Sequence, residues 1–382
     1  MNISKKVILL LLITVVFAGC SAIRQKFAAY LGKPDTTLSI VSAGEGVSPE
    51  GKKELYKAVR KMIGPSSTVI LYDASGSMIY DTQQNLRRYE LAYKGLTQIA
   101  GLFGEDDKIW LLVFGSKVPF ELTKDRRITQ KNYEKAFKSH TDVISVYDGT
   151  SGYDHAAFMS AIRFLGSRNA YIGDTPIGYA VLKAGEILKS VSGGKIILIT
   201  DGEETGPILA DGISRNKAWE DELREKYPHY DEVTISAASA LDRVTSGEIY
   251  FTPILCGLEN AGGNRVTTDG EIEKIRLFYE NLAQATGSIV LQVSSAEGLV
   301  SAFIDAELVS LGYEIYRGHE VLPEKKVGEG HIGVPVKLDA GKYRVVANTN
   351  PPTERDVVVK GGKSNIYVLI VDSDGLLQFI PY

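Results

Sequence analysis

Between Pro65 and about Val309, short apolar runs alternate with stretches in which apolar residues return every third or fourth position. The short runs are Thr68 to Tyr72, Lys108 to Phe114, Lys195 to Thr200, Ile249 to Cys256 and Ile289 to Val293. Each has the length of a strand buried on both faces. The helical stretches between them include Leu86 to Phe103, with Leu86, Leu91, Leu96 and Ile99 recurring, and Pro176 to Val191, with Ile177, Ala180, Val181, Ala184 and Leu188 on one stripe. Glu271 to Ala285 and Ala296 to Val309 follow, each ended or followed by glycine. This order predicts a doubly wound α/β fold, with a mostly parallel sheet covered by helices on both faces. Val118 to Leu122, after Gly115-Ser116, reads as a short antiparallel edge strand.

The pattern differs on either side of this region. Ser48-Pro49 supplies an N-cap and a first-turn proline ahead of Leu55, Ala58, Val59 and Met62, so residues 20–64 read as a tether ending in a helix. After Gly312 the period shortens to two. Val334, Val336 and Leu338, then Tyr343 to Val346, Val357 to Val359 and Ile366 to Val371, are separated by Ala340-Gly341 and Gly361-Gly362. Residues 312–382 are therefore expected to form a small all-β domain, a sandwich of immunoglobulin-like type. Leu338 to Val345 resembles the turn and strand of small immunoglobulin-like or carboxypeptidase-regulatory-like β domains, a resemblance that assigns no function.

The first twenty residues have another use. Lys5-Lys6 precede an apolar run from Val7 to Ala18 that closes on Gly19-Cys20. The run is too short to span a bilayer as a stable helix, and a basic start with small residues before a cut site is what export machinery reads. The ending resembles a bacterial lipobox, with Phe17 where leucine is usual. That resemblance implies removal of residues 1–19, lipid (palmitate among its chains) on Cys20, and anchorage in a bacterial cell envelope. Ser21 at the next position points to an outer membrane where the cell has two. With Cys20 lipidated, Cys256 has no intramolecular partner, which excludes a disulfide framework; its apolar setting marks it as a buried core residue.

Charge excludes one class of partner. The formal net charge is −4, and no Lys/Arg stripe concentrates the positive charge that phosphate contact needs. Enzyme motifs are also missing. Ser75 is followed two residues later by Ser77 rather than glycine, no phosphate-cradling Gly-x-x-x-x-Gly-Lys run exists, and the five histidines are scattered. The chain is accordingly read as a binding protein and not an enzyme.

The chemistry concentrates where the first strand ends. Thr68 to Tyr72 runs into Asp73-Ala74-Ser75-Gly76-Ser77, a carboxylate and two hydroxyls spaced by two. Ligands of open parallel sheets gather outside the carboxyl ends of the strands, so the placement suits a cation site. Lys195 to Thr200 leads likewise into Asp201-Gly202, and Gly173-Asp174-Thr175-Pro176 opens the helix before that strand. Asp73-x-Ser75-x-Ser77, Thr175 and Asp201-Gly202 together resemble the metal-ion-dependent adhesion site of von Willebrand factor A (VWFA) domains. The resemblance covers about residues 65–309, and Leu282 to Gly287 looks like that family's last helix–strand junction. It implies that the five side chains hold Mg²⁺ or Mn²⁺, directly or through water. Two carboxylates and three hydroxyls leave at least one position of an oxygen octahedron open, and a partner's Asp or Glu carboxylate is a favourable ligand there.

Asp148-Gly149-Thr150 competes for the threonine. Thr175 is favoured because one helix and a tight turn separate it from Asp201, the length of a single crossover into a parallel strand. Asp81, Asp174, Glu203 and Glu204 could act as outer acceptors, though for each a solvated loop charge is the commoner explanation. Asp372-Ser373-Asp374-Gly375 resembles the start of a calcium loop but reads better as a hairpin turn. Two long connections, about 124–173 and 203–247, read as inserts that shape the docking face, with helices at Lys131 to Ser139 and Asn216 to Lys226. Tyr147, Tyr153, Phe158 and Tyr171 are either docking contacts or the first insert's own core. The sequence thus predicts a lipid-anchored, metal-dependent protein-binding module, in adhesion or in assembly of an envelope complex; the alternative is an envelope hydrolase or chaperone-like factor using the same scaffold.

Overall fold

Strand β1 (Thr37–Ser42) is buried at all six positions, and helix α1 (Pro49–Ile63) follows it. The computed structural model describes residues 36–42, 49–80, 82, 86–115, 143–171, 175–202, 221, 225, 235–244, 249–258, 269–372 and 377–382. These divide into two units: Pro65–Phe303 is one, and the described residues up to Gly64 join those from Ile304 onward in the other.

In the first unit the strands are β2 (Ser67–Asp73), β3 (Lys108–Phe114), β4 (Val143–Asp148), β5 (Gly194–Thr200), β6 (Ile249–Cys256) and β7 (Leu291–Val293). They form one sheet in the order β4-β3-β2-β5-β6-β7. All neighbours are parallel except β3 and β4, which are antiparallel. β2, β3 and β5 are each buried at six consecutive positions, as strands covered on both faces must be. The helices are α2 (Arg88–Ile99), α3 (His155–Ile162), α4 (Ile177–Lys189), α5 (Ala237–Val244), α6 (Asp269–Ala285) and α7 (Ala296–Leu308), the last crossing into the second unit.

Alternation along the strands sorts the core into two layers. Val69 and Leu71 of β2, Leu112 of β3 and Ile196 and Leu198 of β5 pack with Ile177, Ala184 and Leu188 of α4, Leu241 of α5 and Tyr279 of α6. On the opposite face Tyr72 meets Tyr171, which stacks on Tyr89 of α2. Arg87 precedes α2, its backbone N–H donating to the Glu90 side chain at 3.0 Å.

Two readings of the first unit are refined here. The antiparallel edge strand is β4, inside the stretch read as an insert, while Val118 to Leu122 and Lys131 to Ser139 lie outside the described residues. Of Asn216 to Lys226, Asp221 and Glu225 are described, and both are helical.

The second unit corrects the reading of residues 20–64 and 312–382 as separate parts. Its strands are β1, β8 (Gly312–Arg317), β9 (Lys326–His331), β10 (Val336–Lys337), β11 (Gly341–Ala347), β12 (Thr353–Val359), β13 (Ser364–Val371) and β14 (Leu377–Pro381). They make two four-stranded sheets, β10-β1-β13-β14 and β12-β11-β8-β9. β1, from the stretch read as tether, pairs antiparallel with β10 and parallel with β13. α1 is part of the same unit, with the Asn350 N–H donating to its Met62 carbonyl at 3.1 Å. The unit is therefore neither all-β nor contiguous. Asp372 and Leu377 flank an antiparallel β13–β14 turn, and Asp372 accepts a bond from Gln378 at 2.7 Å; Ser373, Asp374 and Gly375 lie outside the described residues.

Candidate metal centre

β2 and β5 are parallel neighbours in register, Tyr72 opposite Ile199, so their carboxyl ends release Asp73 and Asp201 at the same edge of the sheet. The loop after β2 folds back at once. Asp73 Oδ1 accepts from the Ser75 backbone N–H at 2.7 Å, and a 3₁₀ turn, Gly76–Ile79, is pinned by buried Met78. That places the Ser75 and Ser77 hydroxyls 3.0 Å apart. Ser77 donates to Asp201 Oδ1 at 2.8 Å, joining the two loops.

Gly115 makes room for this loop at the end of β3. A Cβ there would lie 2.7 Å from the Ala74 carbonyl oxygen, closer than real contacts allow. The Ala74 N–H meanwhile donates to the Phe114 carbonyl at 2.7 Å. The ligand-bearing loop is thus held against the β3 backbone, with no space for a side chain between them.

Thr175 reaches the same sheet edge by topology. α4 feeds β5, which starts at the opposite edge, so the N-terminus of α4 and Thr175 just before it lie where Asp73 and Asp201 emerge. Thr175 is 4 % exposed and its carbonyl accepts from the Ile177 N–H. Thr150 lies elsewhere. β4 runs antiparallel to β3 with Asp148 opposite Trp110, near the start of β3, and the Thr150 hydroxyl donates to Asp148 at 2.5 Å. Thr150 is therefore at the far edge of the sheet and already engaged.

Two members of the site escaped the sequence reading. Thr200, the last residue of β5, donates to Asp73 Oδ2 at 2.5 Å. Arg88, the first residue of α2, donates from Nη1 to Asp201 Oδ2 at 2.6 Å and from Nε to the Gly257 carbonyl at 3.2 Å. A signal for Arg88 was present, since it lies three and four residues ahead of Leu91 and Ala92 and so falls on the buried stripe of its helix. A charged residue on an apolar stripe asks for a buried counter-charge.

Asp73 and Asp201 are 0 % and 1 % exposed. Burial first, and the Asp201 carboxylate second, push Asp73 up to about 7, while bonds from Thr200 and Ser75 pull the other way. Cys256 lies close to this charge at the end of β6, and burial drives its thiol far above the ordinary range. The groups that meet are all oxygen donors, two carboxylates and the Ser75 and Ser77 hydroxyls, with Thr175 at the same edge of the sheet. Crowded carboxylates and hard oxygens are what Mg²⁺ or Mn²⁺ requires, so the residues present fit such an ion.

Asp81, Asp174, Glu203 and Glu204 lie outside the described residues. Tyr147, Tyr153, Phe158 and Tyr171 are buried, which settles them as core. Phe158 packs edge-on against Tyr147 and Phe103, Tyr153 donates to the Ala100 carbonyl, and Tyr171 donates to the Leu165 carbonyl.

No protein-family model matches this chain, and no curated protein sequence matches it. Solved structures similar to it include a von Willebrand factor type A protein from Catenulispora acidiphila, at 14 % identity and a TM-score of 0.37 over 77 % of this chain and 66 % of that one. Another is the pilus adhesin SpaC from Lactobacillus rhamnosus GG, at 12 % identity and a TM-score of 0.38 over 84 % and 50 %. A third is the manganese-loaded TRAP protein of Plasmodium vivax, at 11 % identity and a TM-score of 0.34 over 77 % and 93 %. The chain thus spans about two thirds of the first protein and half of the second. These likenesses carry nothing about ligand or partner.

Proposed function

We propose that this chain is a lipid-anchored binding protein whose α/β unit, VWFA-like in its loops, holds a divalent cation and through it a carboxylate of a partner protein. The observation that carries the reading is the meeting of Asp73, Ser75, Ser77 and Asp201, from the ends of two parallel strands, in one hydrogen-bonded oxygen cluster. Asp73, Ser75, Ser77, Thr175 and Asp201 are the residues that would hold Mg²⁺ or Mn²⁺. Such an ion, when bound, supplies a Lewis-acidic position that an Asp or Glu side chain of the partner can fill.

The chain's own residues prepare that position. Thr200 and the Ser75 N–H fix both oxygens of Asp73, so the carboxylate need not reorganise. Ser77 is the least buried of the cluster, partly open to solvent where Asp73, Ser75, Thr175 and Asp201 are buried. The anchor is proposed from Ala18-Gly19-Cys20, with lipid on Cys20 and an envelope setting; these residues lie outside the described ones. The reading includes no catalytic group, and turnover is not part of the proposed role.

Titration calorimetry with Mg²⁺, followed by capture of envelope proteins with and without EDTA, tests the proposal. Saturable binding lost in Asp73→Asn, and chelator-sensitive capture, are expected. Equal heats from wild type and Asp73→Asn would overturn the metal site, and capture unaffected by EDTA would overturn the metal-bridged partner.

A further inference from the structure

Arg88 is 6 % exposed and its guanidinium is shared between Asp201 and the Gly257 carbonyl, so three chain segments meet on it. The backbone around it is shaped for it. Gly257 has φ +64°, and a Cβ there would come within 3.1 Å of the Arg88 side chain and 2.9 Å of Thr82. The ion pair is thus built into the fold and is not a surface charge that has swung inward. Its consequence for Asp201 is that one oxygen is held by Arg88 and the other by Ser77.

Building on the metal-site reading, we infer that Arg88 is a positioning residue with an electrostatic role: it holds Asp201 and keeps the cluster one charge more positive, which weakens the hold on metal and strengthens the hold on a partner's carboxylate. Charge counting gives the direction. With both carboxylates ionised, as ligation of a metal requires, Asp73 and Asp201 with Arg88 sum to minus one; a divalent ion brings the cluster to plus one, and a single carboxylate then neutralises it. Without Arg88 the same steps run from minus two to zero to minus one, so the ion is held more tightly and the carboxylate adds to an already neutral site. A unit charge a few ångströms away in a buried setting alters affinity on the order of tenfold or more. Arg88 therefore makes the site selective for metal and anionic partner together, rather than for metal alone.

The test uses the full chain with Mn²⁺, whose binding is read by electron paramagnetic resonance, and acetate as the carboxylate probe, read on Mn²⁺-loaded protein by loss of water-proton relaxation. Arg88→Met removes the charge, Arg88→Gln removes it while keeping a donor for Asp201, and Arg88→Lys keeps it. The neutral variants are expected to bind Mn²⁺ on the order of tenfold more tightly and acetate correspondingly more weakly, with Arg88→Lys close to wild type. A merely structural role would instead weaken Mn²⁺ binding in all three. Neutral variants that bind Mn²⁺ no more tightly than wild type, or that fail to fold even in its presence, overturn the inference. It is also overturned if Arg88→Lys shifts as far as Arg88→Met. Wild type that binds Mn²⁺ no better than Asp73→Asn overturns the metal reading and this inference with it. Wild-type binding that Asp73→Asn abolishes, with Arg88→Met unchanged, overturns the role of Arg88 alone.

Discussion

The hydroxyl of Thr200 reaches from the end of one central strand to the Asp73 carboxylate at the end of its neighbour, 2.5 Å away and out of contact with solvent. A buried carboxylate is costly unless its oxygens are satisfied, and this bond supplies Asp73 with a donor beside those of Ser75. Thr200→Val keeps the side chain's shape and removes that donor. It should lower unfolding stability at neutral pH by about 1–3 kcal/mol, measured by urea denaturation in EDTA. A change under a few tenths would show that Asp73 is held adequately without Thr200.

Substitutions at the two carboxylates should not behave alike. Asp73→Ala should abolish metal binding with modest loss of fold, because Thr200 and Ser75 are neutral donors. Asp201→Ala strands the buried guanidinium of Arg88 and should cost about 3–5 kcal/mol in addition. Calorimetry for metal and thermal melting in EDTA separate the two effects. Equal melting temperatures for the two variants would argue against an energetically significant Arg88–Asp201 pair.

Thr175→Ala should weaken metal binding less than loss of a carboxylate, since a neutral hydroxyl is the poorer ligand. Thr150→Ala should leave it unchanged, because Thr150 lies at the opposite sheet edge against Asp148. The same metal titration decides between them. A larger loss in Thr150→Ala would mean that the wrong loop had been assigned.

Gly115→Ala should act on the site without touching a ligand. The added methyl group meets the Ala74 carbonyl at 2.7 Å, and backbone rather than a movable side chain must give way. Metal affinity is expected to fall about tenfold or more, with circular dichroism close to wild type, since about 1 Å of misplacement is costly where geometry matters. Unchanged affinity would show that the loop tolerates the shift.

The second unit should require its N-terminal strand. Leu38 and Ile40 of β1 are fully buried, each contributing about 1.5–3 kcal/mol of apolar burial, and β1 lies between β10 and β13 in their sheet. A fragment of residues 304–382 should therefore lack a cooperative transition, whereas residues 36–64 joined to 304–382 by a Gly/Ser linker should have one. Cooperative unfolding of the shorter fragment would remove β1 as a necessary part.

Much of the α/β unit was legible from the chain because its signals are local. A strand buried on both faces must be continuously apolar, a covering helix must repeat its apolar positions every three or four residues, and ligands at strand ends must follow those strands. Asp73, Ser75, Ser77 and Asp201 each sit within five residues of a strand that its apolar run identifies. The tertiary structure decided what such patterns leave open, namely which element meets which. Leu38, Ile40 and Val41 stand among Thr37, Ser39 and Ser42, a run too short and polar to mark a buried strand, and nothing local says that its pairing partner lies more than three hundred residues further on. The buried positions of Tyr147, Tyr153 and Phe158 depend on Phe103 and on one another, from segments far apart in sequence. Arg88 illustrates the division most sharply. Its helix phase puts a cation inside the protein, which is a local fact, but only packing of α2 across the ends of β5 and β6 makes Asp201 and the Gly257 carbonyl the groups that receive it. Long-range electrostatic partners are chosen by the fold as a whole, because a charge in a low-dielectric interior is satisfied by whatever the chain brings within a few ångströms, wherever in the sequence that group lies.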